Sequence, residues 1–231
     1  MKKKLLTAAI LTVAAITLVV TSVFITVAYL TSKAEVTNTF TVGNIALQLY
    51  ESDVNADGQK LDDNPNVHGN MKDSIGNQYH LLPGKTYAKD PTIYLDANSD
   101  NAYLFVKVQN DIRDIQAPSS ESTPTMREQM EKNNWTLYKE YTDGSVVYVY
   151  AKMIDGVLTP TEVNGKTHPS IDTFSQFTVD PDAVVSAYTN AKVIVKAFAI
   201  QRTQFEGNID AAWSALMDAF PSEKGVEKVS E

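Results

Sequence analysis

Short stretches of alternating apolar and polar residues recur along the chain, and turns rich in glycine, proline, asparagine or aspartate separate them. In Ala102–Asn110, Ala102 and Leu104 belong to one face, and Tyr103 and Phe105 belong to the other. Alternation with a period of two residues is typical of β-strands, and several short strands at such spacing favour a sandwich. The sequence therefore predicts a mainly β fold: an antiparallel, jelly-roll-like β-sandwich with a few short helices in its connections and one C-terminal helix.

The strand boundaries follow from the alternation and from the turn residues. The predicted strands are Thr37–Tyr50, Pro91–Asp96, Ala102–Asn110, Trp135–Tyr141, Ser145–Lys152, Gly156–Thr161, Thr173–Val179 and Ala191–Gln201. In the first of them the alternation changes phase at Gly43-Asn44, which predicts a bulge or a tight bend, because a one-residue slip reverses the two faces. Asp143-Gly144 is a strong hairpin signal, and Leu82–Lys85 has proline and glycine where a type II turn prefers them.

The C-terminal helix has the most complete helical signature. Asn208–Phe220 places apolar residues at helical spacing, Asn208 is a suitable N-cap, and Asp210 suits the positive end of the helix dipole. We interpret the apolar stripe as a surface that packs on the core rather than as a cofactor site. Shorter helical stretches are expected at Pro124–Lys132 and Asp180–Tyr188.

The N-terminus has the features of a secretion signal. Lys2–Lys4 precede an uncharged, mostly apolar run, Leu5–Leu30, and Thr26-Val27-Ala28 resembles a signal-peptidase site that would be cut between Ala28 and Tyr29. The run is also long enough to stay in a bilayer as an uncleaved anchor, so this alternative stays open. In both cases the lysines remain on the cytoplasmic side, and the rest of the chain is secreted or displayed at the cell surface.

The chain of 231 residues divides into four parts. Residues 1–28 form the signal or anchor, residues 29–39 an extended segment, residues 40–221 the β-sandwich domain and residues 222–231 a flexible charged tail. The extended segment contains Leu30, Ala34 and Val36, suits β-structure and would be freed by cleavage. It is a candidate donor strand for an open sheet edge of another copy, with pairing inside its own domain or a free segment as the alternatives.

Charge and cysteine content exclude some kinds of protein. The whole chain has 20 basic and 28 acidic residues and a net charge of −8; without Lys2–Lys4, 17 basic residues remain and the net charge is −11. A nucleic-acid partner is not expected, because such proteins carry a basic surface. The chain contains no cysteine, so its stability outside the cell has to come from core packing, metal or association.

Sequence motifs for catalysis are absent. His68, His80 and His168 are dispersed, no His-Glu-x-x-His motif occurs, and there is neither a cysteine nor a Gly-x-Ser-x-Gly motif to supply a nucleophile. We therefore predict a protein that is not an enzyme and requires no cofactor. The three histidines are interpreted as surface or packing residues.

One acidic segment resembles half of a calcium-binding loop. Asp53, Asn55 and Asp57, followed by Gly58, match the first six positions of the EF-hand pattern, in which alternate oxygen ligands converge on one cation. The twelfth position is Asn64, where a bidentate glutamate is expected. The segment is a candidate Ca²⁺ site, and a solvated turn held by asparagine and aspartate side chains is the alternative.

Several blocks along the chain resemble a known family. They are Tyr29-Leu30-Thr31, Asn38–Ile45, Leu82-Pro83-Gly84, Lys89–Thr92, Tyr103–Val108, Ala199-Ile200-Gln201 and Ala211-Ala212-Trp213. In this order they are similar to the TasA and camelysin-like proteins, which are exported through a SipW-type signal peptidase. The resemblance covers nearly the whole chain and implies a secreted Gram-positive protein with a jelly-roll domain.

For the best-known members of this family, the resemblance implies subunits of biofilm-matrix fibres. In such fibres the N-terminal segment of one subunit adds as a strand to the next, which is donor-strand complementation. The implied partners are other copies of the chain in a head-to-tail polymer, the SipW-type signal peptidase and accessory matrix proteins. The camelysin branch of the family implies a metalloendopeptidase instead, but the absence of a His-Glu-x-x-His zinc motif argues against this activity. A membrane-anchored surface module that binds a partner or calcium is the third alternative.

Overall fold

A computed structural model describes residues 29–30, 39–61, 77–155 and 157–228 of the protein. The predicted signal, residues 1–28 with Ala28 at its end, lies outside this part, and so do Ala34 and Val36 of the candidate donor strand. Among the helices that are described, none combines the length and the apolar character needed to cross a membrane.

The described part of the chain is mainly β-structure. Its strands are β1 (Tyr29–Leu30), β2 (Thr39–Val42), β3 (Leu47–Tyr50), β4 (Tyr79–His80), β5 (Thr86–Ala88), β6 (Thr92–Leu95), β7 (Ala102–Asn110), β8 (Trp135–Glu140), β9 (Val146–Ile154), β10 (Val157–Pro160), β11 (Ser170–Asp172), β12 (Gln176–Thr178) and β13 (Val193–Gln201). The α-helices are α1 (Met126–Lys132) and α2 (Ile209–Ala219), and short 3₁₀ helices cover Arg113–Ile115, Val185–Tyr188, Arg202–Gln204 and Pro221–Glu223.

The largest sheet has six strands. Five of them follow the order β10-β9-β7-β13-β2, and the sixth, β8, pairs with β9 beside β10. The strands β7 and β13 form its centre and pair antiparallel over nine residues, from Val193 opposite Asn110 to Gln201 opposite Ala102. Among the described strand pairs, β2 and β13 alone run parallel. The prediction of an antiparallel sheet is therefore correct except at this edge.

A second layer of smaller sheets faces the large one. It consists of the three-stranded sheet β11-β6-β3 and the two-stranded sheets β12-β5 and β1-β4. Apolar side chains from both layers, including Leu49, Ile93, Leu104 and Val106, are fully buried in one continuous core. This core between two layers gives the molecule the predicted β-sandwich-like arrangement.

The opposite face of the large sheet is covered by α2. Trp213 of this helix lies against Phe105 of β7 and Phe198 of β13, with ring centroids 5.0 and 5.4 Å apart. The Asn208 side chain caps the helix by accepting from the Ala211 amide, as its sequence predicts. Since both faces of β7 are buried, the alternation between Leu104 and Phe105 separates two apolar cores rather than a core and solvent.

The first predicted strand, Thr37–Tyr50, is two strands that belong to different layers. The chain leaves β2 in the large sheet, bends at Gly43 and enters β3 in the second layer. Gly43 has a φ of +101°, and a Cβ there would lie 2.7 Å from the Cβ of Gln201. The phase change at Gly43-Asn44 therefore marks a crossing between sheets, for which only glycine leaves room.

The connections agree with the sequence in some places and differ in others. The helix predicted at Pro124–Lys132 is present as α1, and Thr125 and Glu128 form a reciprocal capping box at its start. The predicted strand Thr173–Val179 is limited to β12, and β11 precedes it without having been predicted. Only the last turn of the predicted helical stretch Asp180–Tyr188 is helical, as a 3₁₀ helix.

Candidate functional site

The edge of the large sheet formed by β2 and β13 is the candidate functional site. The strand β13 uses all nine residues to pair with β7, but β2 pairs only with Ala197–Ile200 on the other side. Within the described residues, the outer side of Val193–Lys196 has no strand partner. An unpaired stretch of this kind offers backbone N–H and C=O groups to another strand.

The register of β2 determines which residues would meet this unpaired stretch. Thr39 lies opposite Ala197 in a parallel pair. Residues 35–38, which come directly before Thr39 in the sequence, lie outside the described part of the chain. The candidate donor segment therefore precedes, in the sequence, the strand that pairs with half of β13.

The other end of the large sheet is partly covered by the C-terminal segment. The Thr142 amide donates to the Val226 carbonyl at 2.8 Å, and the Lys228 amide donates to the Glu140 carbonyl at 2.9 Å. Glu223 is buried and pairs with Lys196 at 2.7 Å. Residues 222–228 are therefore held against the sheet, whereas the sequence predicts a flexible tail from residue 222 onward. The described part of the tail thus contacts the large sheet both at the end of β8 and at Lys196 of β13.

The candidate donor residues lie at the start of the described chain. Tyr29 and Leu30 form β1, which pairs antiparallel with His80 and Tyr79. The backbone that follows the predicted cleavage site thus has a pairing inside its own domain, which is one of the alternatives that the sequence leaves open.

The predicted calcium segment forms a small hairpin. Asn55 Oδ1 accepts from the backbone amides of Asp57 and Gln59 at 3.0 and 2.9 Å. Asp57 Oδ1 accepts from Lys85 Nζ at 2.6 Å, and this hydrogen bond, with the charge of Lys85, lowers the pKa of Asp57. Two of the three predicted ligands are thus engaged within the protein, while residues 62–64 lie outside the described part. Calcium binding stays a prediction.

This hairpin packs closely on β5. Gly58 has a φ of +71°, its carbonyl accepts from the Ala88 amide at 2.9 Å, and a Cβ on it would lie 2.8 Å from the Cβ and 2.9 Å from the Cα of Tyr87. The backbone of Tyr87 cannot move away as a flexible side chain can, so the close approach of the hairpin to β5 requires glycine at position 58.

We expect Gly58→Ala to lower the free energy of unfolding by about 2–4 kcal/mol, the sum of a left-handed backbone strain and an overpacked contact. Gly207→Ala is the matched control, because Gly207 has a φ of +93° and no atom within 4 Å of the added Cβ. Urea denaturation of both variants measures the difference. Equal losses in the two variants would contradict a role for the contact with Tyr87.

A buried ion pair lies beside the hairpin. Lys89 Nζ donates to Oε1 and Oε2 of Glu51, each at 3.0 Å. The side chains are 0% and 4% exposed, so both charges are removed from water. The rings of Tyr79, Tyr87 and Phe177 pack next to one another in the same region. A buried pair in such apolar surroundings needs further polar partners to offset its desolvation.

Those partners are Asn77 and Tyr79. Asn77 Nδ2 donates to Glu51 Oε1 at 3.1 Å and to the Ser52 carbonyl at 2.8 Å, while its Oδ1 accepts from the Val54 amide at 3.1 Å. Tyr79 Oη donates to the Ala88 carbonyl at 2.8 Å and lies 3.3 Å from Glu51 Oε1. Burial, and then the charge of Glu51, raise the pKa of Tyr79 well above its usual value, so its phenol stays protonated.

Sequence reasoning did not identify this cluster, although a signal for it exists. Glu51 continues the inward alternation of Leu47 and Leu49, and Lys89 continues that of Tyr87. Opposite charges at inward positions of two strands are the pattern that predicts a buried pair.

A cleft of about 400 Å³ opens between α1 and the large sheet. Met126, Met130 and Phe174 are among its apolar lining residues, and Arg113 and Gln116 also line it. Gln116 Nε2 is buried and has no hydrogen-bond partner among the described residues. The size of the cleft is within the usual range of ligand pockets.

The histidines lie apart from these features. His80 belongs to β4, the His168 ring lies 6.3 Å from the Tyr150 ring, and His68 lies outside the described residues. Within the described ranges, no group of three histidine, aspartate or glutamate side chains comes together in a way that could hold a metal ion.

Comparison with known proteins adds no relative: no protein-family model, curated protein or solved structure matches this chain.

Proposed function

We propose that the protein is a secreted structural subunit that assembles into extracellular matrix fibres by donating its N-terminal segment to a neighbouring copy. The observation that carries this proposal is the half-paired strand β13, whose residues 193–196 have an open outer side next to a paired stretch at 197–200. A strand from another copy can complete this edge by backbone hydrogen bonding.

The presence of both a donor and an acceptor in one chain supports assembly between copies. Donation from one copy to the next is head-to-tail and does not close, so it produces a filament rather than a dimer. The segment that would be donated lies immediately before β2, so the same chain contains both a donor and an acceptor. Cleavage by a SipW-type peptidase after Ala28 would release the donor, and accessory matrix proteins are further expected partners.

Engineered cysteines test the donation directly, since the chain has no cysteine of its own. We expect a mixture of Val36→Cys and Ile194→Cys subunits, assembled and then oxidised, to yield a disulfide-linked heterodimer on a non-reducing gel. In the proposed complex, the donated segment of one copy continues the parallel register that sets Thr39 opposite Ala197, which would bring its Val36 opposite Ile194 of the next copy, within reach of a disulfide. Val36→Cys mixed with Lys166→Cys, an exposed position elsewhere on the domain, is the matched control.

Electron microscopy of the exported protein provides the second measurement. We expect fibres from the wild type and from Val36→Thr, and no fibres from Val36→Pro, because proline removes a backbone donor and disfavours the ladder. Deletion of residues 29–38 is expected to abolish fibres as well. The proposal is wrong if the wild type stays monomeric at high concentration, or if a single chain with both cysteines cross-links only to itself.

A further inference from the structure

The buried cluster around Glu51 brings an amine and a carboxamide to the same oxygen atom. Lys89 Nζ lies 3.0 Å from Glu51 Oε1, and Asn77 Nδ2 lies 3.1 Å from that same atom. The amine and the carboxamide are therefore within about two hydrogen-bond lengths of each other, and a short approach brings them to the roughly 3–3.5 Å at which atoms react.

We propose that Lys89 and Asn77 form an intramolecular amide bond, an isopeptide cross-link, with Glu51 as the proton carrier. This modification is independent of the proposed fibre assembly, because all of its groups lie inside one domain. Each group that such a reaction requires is present: a buried amine, a carboxamide, a carboxylate in contact with both, and a hydrogen-bond donor on the carbonyl oxygen.

The reaction balances without an external reagent. The Lys89 ammonium gives a proton to Glu51, and the neutral amine attacks Cγ of Asn77, so that the Nζ–Cγ bond forms. Glu51 returns a proton to Nδ2, the Cγ–Nδ2 bond breaks, and ammonia leaves with the remaining proton as ammonium. One ammonium side chain and one carboxamide thus become one secondary amide and one ammonium ion, and Glu51 ends as it began. General acid–base transfer by a carboxylate in direct contact is an established way to lower such a barrier.

Two further contacts favour this reaction. The Val54 amide donates to Asn77 Oδ1 at 3.1 Å, and it would stabilise the negative charge that develops on this oxygen when the amine attacks. Lys89 is fully buried, and a desolvated lysine amine is a better nucleophile than one in water. The Ser52 carbonyl, which accepts from Asn77 Nδ2 at 2.8 Å, holds the leaving group in place.

The proposed cross-link would take the place of the disulfides that this chain cannot form. A secreted domain of this size often uses disulfides against unfolding and proteolysis, but this chain has no cysteine. A covalent bond between residues 77 and 89 closes a loop that contains β4 and β5, two of the short strands of the second layer.

Mass spectrometry of the full chain, recovered as cells export it, tests the proposal. We expect an intact mass lower by one molecule of ammonia than the sequence requires. After trypsin digestion we expect peptide 73–85 joined to peptide 86–107, with no cleavage after Lys89. Unlinked peptides with free Lys89 would overturn the proposal. Loss of ammonia with unlinked peptides would overturn it too, because Asn77 would then have cyclised on its own backbone.

Variants identify the chemistry. Asn77→Asp is expected to give the same linked peptides with loss of water in place of ammonia, because a carboxyl group then replaces the carboxamide. Glu51→Gln is expected to give the unlinked mass, and Lys166→Met, at an exposed lysine, the linked one. Linked peptides in Glu51→Gln at the wild-type level would refute the role of Glu51. If a variant does not fold, the peptide map of the wild type still decides whether the bond exists.

Discussion

Lys89→Met is expected to lower the free energy of unfolding by about 3–5 kcal/mol, because it leaves the Glu51 carboxylate buried without its ammonium partner. Lys89 is 0% exposed and contacts both carboxylate oxygens. Methionine keeps most of the apolar stem of lysine, so the loss measures the missing charge rather than a cavity. Urea denaturation with unchanged m-values gives this difference. This reason applies to the unlinked form; where the proposed amide has formed, Lys89 carries no ammonium and the variant loses the cross-link instead of an ion pair.

The double variant Lys89→Met/Glu51→Gln separates charge from packing. It removes both charges and keeps the approximate volume, so we expect it to be more stable than Lys89→Met alone. Lys60→Met is the matched control, because Lys60 also pairs with a carboxylate, that of Asp90, but has a side chain 44% exposed. We expect it to change stability by less than about 1 kcal/mol. A double variant that is no better than the single one would show that Glu51 is not the source of the loss.

The elements that the sequence predicts best are those in which local signals agree. In β7 the alternation determines both boundaries, Ala102 and Asn110, and the α2 helix has its Asn208 cap and its apolar stripe as predicted. The hairpin between β8 and β9 has its turn at Asp143-Gly144, where Gly144 has a φ of +83°. In each case the residues that determine the structure lie within the element itself.

Features that depend on distant residues could not be predicted in this way. The parallel pairing of β2 with β13 joins residues more than 150 positions apart, and nothing within β2 encodes its direction. The burial of Lys89 likewise depends on Glu51, 38 positions earlier. The docked C-terminal segment depends on Lys196 and on the edge of β8, so its charges alone predicted a solvated tail.

These long-range contacts connect the two cores to the candidate assembly edge. The second layer contains the buried pair and the hairpin at Gly58, and it packs on the inner face of the large sheet. Val42, the last residue of β2, packs against the outer core, which α2 covers. The edge strand is therefore held by side-chain packing on α2 as well as by its four paired residues.

Trp213→Ala is expected to lower the free energy of unfolding by about 3–5 kcal/mol, as large-to-small substitutions in a core do. The indole is 3% exposed, its ring contacts Phe105 and Phe198, and its Nε1 donates to Tyr141 Oη at 3.0 Å. Trp213→Phe keeps the ring packing and loses the donor, so we expect a smaller loss than with alanine, including about 1 kcal/mol for the hydrogen bond.

Asp218→Ala, an exposed substitution on the same helix, serves as the control and is expected to change stability by less than about 0.5 kcal/mol. If Trp213→Ala lowers the free energy of unfolding no more than this control does, the packing of α2 on the outer face of the sheet does not stabilise the fold. Hydrogen exchange tests whether this helix also holds the candidate assembly edge. Val42 packs against the cluster that contains Trp213, so we expect the amides of β2 to exchange faster in Trp213→Ala than in the wild type. The amides at the centre of β7 are expected to stay the slowest to exchange. Protection of β2 at the wild-type level would mean that backbone pairing with β13 alone retains the edge strand.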